Sequence, residues 1–266
     1  PEETFMTVDS PVHIASWPTL KQCQRDVLTS MKKYHIDFSL ISNCNAAEYP
    51  GKKGETKYLV SQVEALKQAI PFVRRHKEKM GLLVWIRPHH ETISKEFLDL
   101  IEKNRDIIYG LKFHPFCSKL RITSPKMDPY FQLMEHYDLP MLVHTAKDKY
   151  SDVFYLGLVS DHHPNLKFIA AHMQLMGDNN QALAVLKNHP NLYGDTAWVK
   201  MSFVKQCIEE LGPNRIMFGT DNPIDGKDTL SNPMYESYFK NEEKLKKRDY
   251  EKLMGKTAKK LFRLPI

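Results

Sequence analysis

Residues 164–219, PNLKFIAAHMQLMGDNNQALAVLKNHPNLYGDTAWVKMSFVKQCIEELGPNRIMFG, alternate between two kinds of segment. Short apolar runs rich in β-branched and aromatic residues are separated by longer amphipathic stretches of helical length: Lys167–Ala171, Asn180–Asn188, Leu192–Gly194, Lys200–Leu211 and Ile216–Gly219. Pro164 and Pro213 each end a helical stretch just before an apolar run. Strands that alternate with helices predict βα units around a parallel sheet.

The same alternation extends towards the N-terminus. Five further apolar runs precede this stretch: Phe5–Val8, Ile36–Ile41, Leu82–Ile86, Ile107–Phe113 and Met141–Val143. Helical candidates lie between them at Lys57–His76, Ser94–Lys103 and Met127–His136. Eight strands in 266 residues match the usual size of a barrel enzyme, about 250 residues. We therefore predict an α/β fold, a single (β/α)8 TIM barrel domain that spans residues 1–266.

The segments after the eighth run support this prediction. A loop over Asn222–Asn241 is expected to face the substrate, and a final helix at about Lys244–Phe262 is expected to close the barrel. The alternation alone also allows an open doubly wound sheet. That fold favours a glycine-rich phosphate loop, and the sequence contains none.

Composition and cysteine usage narrow the class of protein. Hydrophobic residues make up 42% and charged residues 26% of the chain, and no apolar run approaches the ~20 residues of a membrane span. The first residues form no signal segment, so we expect a cytoplasmic location, although the chain does not begin with Met and a removed leader stays open. The four scattered cysteines form no CxxC pair and are expected to be reduced and packed: Cys23, Cys44, Cys117 and Cys207.

The net charge of +6 comes from one end of the chain. Of the 38 basic and 32 acidic residues, ten and four lie in residues 240–266, so the remainder carries 28 of each sign. A basic terminal helix is commonly a solvated face. No nucleic-acid-binding motif accompanies it, so we predict no nucleic-acid partner.

Ionisable residues recur at the ends of the predicted strands. His13 follows strand one, His144 closes strand five, His172 closes strand six and Asp221 closes strand eight. A single histidine in such a place is more often structural, but the carboxyl ends of all barrel strands converge on one face. Three imidazoles and one carboxylate there have the ligand types and number of a first-row metal site. Their repetition on four strands favours a functional interpretation.

Six segments together resemble one family. They are GLKFHP (110–115), PMLVHT (140–145), FIAAHM (168–173), NLYGDTAW (191–198), RIMFGTDNP (215–223) and LMGKTAKKLF (253–262). In this order they resemble the amidohydrolase-2 branch of the amidohydrolase superfamily, the barrel-fold metal-dependent hydrolases and decarboxylases. The resemblance is specific from strand four to the C-terminus and only general over residues 14–105.

The resemblance implies roles for the strand-end residues. His144 and Asp221 would bind a divalent metal, and His172 would contact the substrate or the attacking water. The family's strand-one motif is D-x-H-x-H, whereas residues 9–13 are DSPVH, so Pro11 replaces the first histidine and His13 is the second. Three alternatives follow: one divalent ion, zinc first and manganese second, is held by His13, His144 and Asp221; the site binds metal weakly; or it works without metal.

Residues on strands four and seven are candidates for contact with the substrate. Lys112 is expected to bind a substrate carboxylate or form an ion pair, and carboxylation of its amine is a further alternative. His114 shares its strand face and is assigned to substrate binding, with a structural role open. Asp195 would orient His172 or stabilise the strand-seven turn. The remaining histidines are assigned to surface or structural roles: His35, His76, His89, His90, His136, His162, His163 and His189.

These assignments lead to a functional prediction. We expect metal-assisted hydrolysis of a small-molecule ester, lactone or amide, with Asp221 accepting the proton of an activated water and His172 stabilising the oxyanion or relaying the proton. One alternative is non-oxidative decarboxylation of an aromatic or unsaturated acid at the same site. Another is a barrel that has lost catalysis and only binds. A homo-oligomer is left open, and no membrane partner is expected.

Overall fold

Eight parallel strands form one sheet in the computed structural model, which describes residues 5–49 and 58–266. Each strand pairs with the next along the chain: β1 Val8–Ile14, β2 Phe38–Asn43, β3 Met80–Trp85, β4 Ile108–Phe113, β5 Met141–Ala146, β6 Phe168–Leu175, β7 Leu192–Asp195 and β8 Ile216–Met217. Backbone hydrogen bonds also join β1 to β8 and the residues after it, from Ser10 N to Phe218 O at 3.2 Å and from Asp221 N to Pro11 O at 3.0 Å. The predicted (β/α)8 barrel is confirmed.

Helices lie between and after the strands: α1 Leu20–Lys33, α2 Gln62–Arg75, α3 Lys95–Lys103, α4 Pro115–Ser118, α5 Asp128–Tyr137, α6 Val153–His162, α7 Asn179–Asn188, α8 Met201–Leu211, α9 Pro233–Phe239, α10 Lys247–Glu251 and α11 Thr257–Phe262. Several begin at a side chain that accepts a backbone N–H of the first turn, such as Thr19, Ser61 and Ser94. Such caps satisfy N–H groups that have no partner within the helix. Among the described residues, no helix is long and apolar enough to cross a membrane.

The inward faces of the strands divide the barrel into an apolar end and a polar end. Leu40, Leu83, Leu142 and Ile169 pack together inside it, and α11 covers this end with Leu261 and Phe262, among other residues. Side chains two residues apart share a strand face. His144 therefore follows Leu142 on the inward face of β5, one step closer to the carboxyl end.

The seam between β8 and β1 requires a glycine. A Cβ atom on Gly219 would lie 2.0 Å from the carbonyl oxygen of Ser10. The backbone of Gly219 is also tied to Thr196, whose hydroxyl contacts both its N–H and its carbonyl at 2.9 Å. Because any larger residue would push the two strands apart, Gly219 is what lets the barrel close next to Asp221.

Several element boundaries differ from the sequence-based expectation, most clearly at strand one, after β8 and in the final helix. Strand one was predicted at Phe5–Val8 but lies at Val8–Ile14, because a register shift between Asp9 and Val12 accommodates Pro11 inside the strand. The expected loop after β8 contains α9, which starts at Pro233, a favoured first helical residue. The final helix begins at Lys247 and passes through a π-helical turn at Lys252–Lys256. Residue 57, the predicted start of α2, lies outside the described residues.

Candidate functional site

A cavity of about 830 Å³ opens at the carboxyl ends of the strands. The side chains assigned to catalysis, substrate binding or metal binding all line it: His13, Lys112, His114, His144, His172 and Asp221. Further lining residues include Trp85 on β3 and Trp198 after β7. The strand-end residues therefore meet in one place, while their chemical roles stay predictions.

His13 and Asp221 form a hydrogen-bonded pair at the seam of the barrel. His13 Nε2 contacts Asp221 Oδ1, and its Nδ1 lies 2.7 Å from Ser42 Oγ on the neighbouring strand. The second carboxylate oxygen of Asp221 accepts a hydrogen bond from Trp198 Nε1 at 3.1 Å. Burial raises the pKa of Asp221, but the charge and hydrogen bond of His13 outweigh it, so the net pKa lies far below its usual value. Asp221 is therefore ionised at neutral pH.

His172 presents one unprotonated ring nitrogen to the cavity. Its Nδ1 donates to the carbonyl of Ala197 at 3.0 Å, which leaves Nε2 as the acceptor. Burial lowers the pKa of His172 below its usual 6.5, so the ring is neutral at pH 7. Asp195 Oδ1 accepts the backbone N–H groups of both His172 and Ala197 at 3.0 Å. Asp195 thus orients His172 and also stabilises the strand-seven turn.

Left-handed backbone occurs at four residues that line the cavity. The φ angles are +69° at His172, +60° at Met176, +62° at Trp198 and +67° at Asp221. This conformation costs a non-glycine residue roughly 1–2 kcal/mol. Strain of this kind concentrates at functional sites, where the surrounding structure must hold it. Four such residues border one cavity, which supports its choice as the candidate functional site.

Lys112 lies at the floor of the cavity with only 1% of its surface exposed. Among the described residues it has no hydrogen bond and no ion pair. Its Nζ lies over the ring of Trp85, 5.7 Å from the ring centroid. Burial lowers the pKa of Lys112, and the charges of Asp221 and Asp195 partly oppose this. An unpaired buried ammonium is costly, so Lys112 favours a negatively charged ligand group.

Three aromatic rings that line the cavity form one stack. His114 stacks on His144 with ring centroids 3.8 Å apart and on Trp85 with centroids 5.7 Å apart. Burial lowers the pKa of both histidines well below the usual value; for His114 the Lys112 charge adds to this, and for His144 the neighbouring His114 does. His114 Nδ1 accepts a hydrogen bond from the N–H of Cys117, which caps α4. The stack is therefore neutral at pH 7.

The donor types around the cavity suit a divalent ion, but their arrangement does not present three donors together. Imidazole nitrogen and carboxylate oxygen are zinc and manganese ligands. Within the described ranges, no group of three or more His, Cys, Asp or Glu side chains is placed to hold a metal. Two of the expected ligands, His13 and Asp221, are hydrogen-bonded to each other. An ion can bind both only if that hydrogen bond opens.

Several site residues were not identified from the sequence. Trp198 belongs to the quoted segment NLYGDTAW, and its indole became relevant only through its bond to Asp221. Trp85 ends an apolar strand, where a buried aromatic residue is ordinary. Cys44 and Cys117 line the cavity instead of packing in the core, and no disulfide joins the four cysteines in the part of the chain that the structure describes.

The buried carboxyl group of Asp195 leads to a prediction about how the stability of the fold depends on pH. Burial raises its pKa from 3.8 to about 7 in the folded protein. Between these values the unfolded carboxyl is ionised and the folded one is not, so stability falls by up to about 1.4 kcal/mol per pH unit and levels off above pH 7. Asp195→Asn removes this dependence.

We therefore expect the stability of Asp195→Asn relative to wild type to grow between about pH 5 and about pH 7. Urea unfolding at several pH values measures it, and Asp99→Asn on exposed α3 serves as control. A constant difference between Asp195→Asn and wild type over this range would show that Asp195 is ionised in the fold.

Comparison with known proteins identifies the family. The amidohydrolase family model matches residues 56–264. The chain belongs to the amidohydrolase-2 family. The match begins after β2, so strand one, where Pro11 departs from the family pattern, lies outside it. No curated protein matches the sequence.

Solved structures with the same fold have little sequence identity to this amidohydrolase. The 5-carboxyvanillate decarboxylase of Novosphingobium aromaticivorans, complexed with manganese and 4-hydroxy-3-methoxy-5-nitrobenzoic acid, is 12% identical with a TM-score of 0.72, and the match covers 99% of this chain and 97% of the decarboxylase. A dihydroxybenzoic acid decarboxylase from Polaromonas sp., with manganese and 2-nitroresorcinol, is 15% identical with a TM-score of 0.69, and the match covers 99% of this chain and 98% of that enzyme. A probable 2-pyrone-4,6-dicarboxylic acid hydrolase from Acinetobacter baumannii, with citric acid bound, is 12% identical with a TM-score of 0.67, and the match covers 97% of this chain and 99% of the hydrolase.

Proposed function

We propose that this amidohydrolase-family chain is a hydrolase of small-molecule esters, lactones or amides. The observation that carries the proposal is the pair of a neutral His172, with Nε2 facing the cavity, and an ionised Asp221 in the same cavity. A neutral imidazole with a fixed tautomer is a suitable general base near pH 7. The carboxylate stabilises the positive charge that the imidazole acquires when it takes a proton.

The proposed reaction begins with a water molecule between His172 and the substrate carbonyl. His172 Nε2 accepts a proton as the water oxygen bonds to the carbonyl carbon. The ammonium of Lys112 compensates the negative charge that develops in the cavity. Collapse of the tetrahedral species breaks the bond to the leaving oxygen or nitrogen, which receives the proton from His172. The products are a carboxylic acid and an alcohol or amine, or a hydroxy acid from a lactone.

We further propose that one divalent ion binds to His13, His144 and Asp221, zinc being the first candidate and manganese the second. Support comes from the donor types and from the manganese in the two decarboxylase structures. When bound, such an ion would polarise the substrate carbonyl and lower the pKa of a water molecule. The His13–Asp221 hydrogen bond must open for it, so binding is expected to be weak and easily reversed by a chelator.

A second candidate is non-oxidative decarboxylation of an aromatic or unsaturated acid. The stacked rings of Trp85, His114 and His144 lie beside Lys112, which suits an aromatic ring that carries a carboxylate. The decarboxylases with this fold were solved with aromatic ligands, a nitrobenzoic acid in one and 2-nitroresorcinol in the other. Hydrolysis of a ring lactone would use the same features, so only the products separate these two reactions.

The test is a panel assay on protein purified without chelator. Lactones, aryl esters, amides and hydroxylated aromatic acids are incubated with the enzyme alone, with Zn²⁺ or Mn²⁺, and after treatment with a chelator. We expect acid release from an ester or lactone, increased by one metal and reduced by the chelator. Release of CO₂ from an aromatic acid would establish the second candidate. Activity unchanged by the chelator would mean that His172 and Asp221 act without an ion, and ligand binding without turnover would identify a barrel that only binds.

A further inference from the structure

The mouth of the cavity is more apolar than the proposed chemistry requires. Four apolar side chains border it, each following a different strand, and we call them the apolar mouth: Trp17, Phe116, Met176 and Ile224. Phe116 is 49% exposed and Met176 is 88% exposed. Charged groups also border the cavity, on Lys147, Asp148 and Asp225. The rim is therefore mixed, and its apolar side chains follow β1, β4, β6 and β8.

The backbone holds Met176 in this position. Its φ is +60°, and the chain on either side is fixed by hydrogen bonds from Lys147 N to Leu175 O at 2.9 Å and from Gly177 N to Gln174 O at 3.2 Å. The fold thus adopts an unfavourable left-handed conformation while presenting a large apolar side chain to water. Met is well suited to contact apolar ligands because its side chain is flexible and polarizable.

The size of the cavity also indicates a ligand larger than its reacting group. About 830 Å³ is near the upper end of the range for pockets that hold drug-sized ligands. The polar groups, Lys112 and His172 among them, occupy the buried floor. A single-ring acid bound there leaves the apolar mouth uncovered.

We infer that the substrate of this site carries an apolar group of several carbons that lies against the apolar mouth while its carbonyl or carboxyl group reaches the floor. The inference rests on the proposed function for the reacting end and deepens it by naming the rest of the substrate. Each added methylene that is removed from water at the mouth should strengthen binding about fourfold. The apolar mouth is therefore a specificity determinant.

Binding can be measured independently of catalysis. All three tryptophans, Trp17, Trp85 and Trp198, line the cavity, so intrinsic fluorescence reports ligand entry. Straight-chain carboxylates from propanoate to octanoate are not hydrolysed and do not absorb at the excitation wavelength. We expect the dissociation constant to fall about fourfold with each carbon. Met176→Gln and Phe116→Ser should each reduce this dependence, whereas Phe154→Ser should not, because Phe154 is 59% exposed but does not line the cavity.

The outcomes separate the inference from the proposed function. Chain-length-dependent binding that Met176→Gln weakens would support the apolar mouth even if no ester is hydrolysed. Hydrolysis of short and long esters at equal kcat/KM, with carboxylate binding independent of chain length, would overturn the inference and leave the hydrolase proposal intact. No binding of any carboxylate, or an equal loss in Phe154→Ser, would also overturn it.

Discussion

His172→Asn should reduce turnover by at least about 10²-fold on any substrate the wild type converts, the usual contribution of a general acid–base group. The fold should hardly change, since within the described residues the side chain of His172 makes a single hydrogen bond, from Nδ1 to the carbonyl of Ala197. The acidic limb of the kcat/KM profile should lie below pH 6.5 in wild type, because burial lowers the pKa of His172 and the base form persists there. In the variant this limb should be absent.

His162→Asn is the matched control for this prediction. His162 also bonds a backbone carbonyl through Nδ1, to Leu158 at 2.8 Å, but it is exposed and outside the cavity. Steady-state kinetics and thermal unfolding of both variants, with and without added imidazole, measure the difference. If the turnover of His172→Asn falls only in proportion to the fraction of protein that is folded, and imidazole does not restore it, the role of His172 is structural.

Asp221→Asn is a less selective change. Its carboxylate serves both His13 and Trp198, and an amide can accept from only one of them through its single oxygen. A loss of stability of about 1–3 kcal/mol is therefore expected together with the loss of turnover. This follows from the structure, since the sequence predicted metal-binding and catalytic roles for Asp221 but not its hydrogen bonds to His13 and Trp198.

The barrel could be predicted from the sequence because the alternation of apolar strand segments and amphipathic helical segments is local and repeated. Each βα unit has its own apolar run and its own helix signals, so an error in one boundary, as at strand one, does not change the fold. The convergence of His144 and His172 followed from barrel geometry alone. These parts of the molecule could be predicted because they depend on the periodicity of apolar residues and on the order of the strands along the chain.

Contacts between distant residues could not be predicted in this way. The His13–Asp221 pair joins residues 208 positions apart, and its direct hydrogen bond depends on how closely the seam at Gly219 brings two strands together. The tautomer of His172 is set by the carbonyl of Ala197, 25 positions away. Strand order places such residues on one face, but hydrogen-bond partners depend on details of side-chain packing that no sequence period encodes.

Lys112→Met should weaken carboxylate binding by about 10²-fold and at the same time stabilise the fold. The ammonium is buried without a hydrogen bond or ion pair among the described residues, so its desolvation is uncompensated until an anion binds. Replacing buried charge by an apolar residue of similar volume is often stabilising, by about 1–4 kcal/mol for buried pairs. The dissociation constant of octanoate and the midpoint of thermal unfolding measure the two effects.

Lys147→Met provides the comparison that decides what Lys112 does. Lys147 also borders the cavity but is exposed, so its charge is screened by water and its removal should change carboxylate affinity only a few-fold. If Lys112→Met were destabilising, the ammonium would have a stabilising partner within the fold, and its desolvation would already be compensated without a ligand. If it were stabilising yet left carboxylate affinity unchanged, Lys112 would serve only the charge that develops during the reaction. A gain in stability together with a selective loss of affinity is the result expected of a residue kept charged for its substrate.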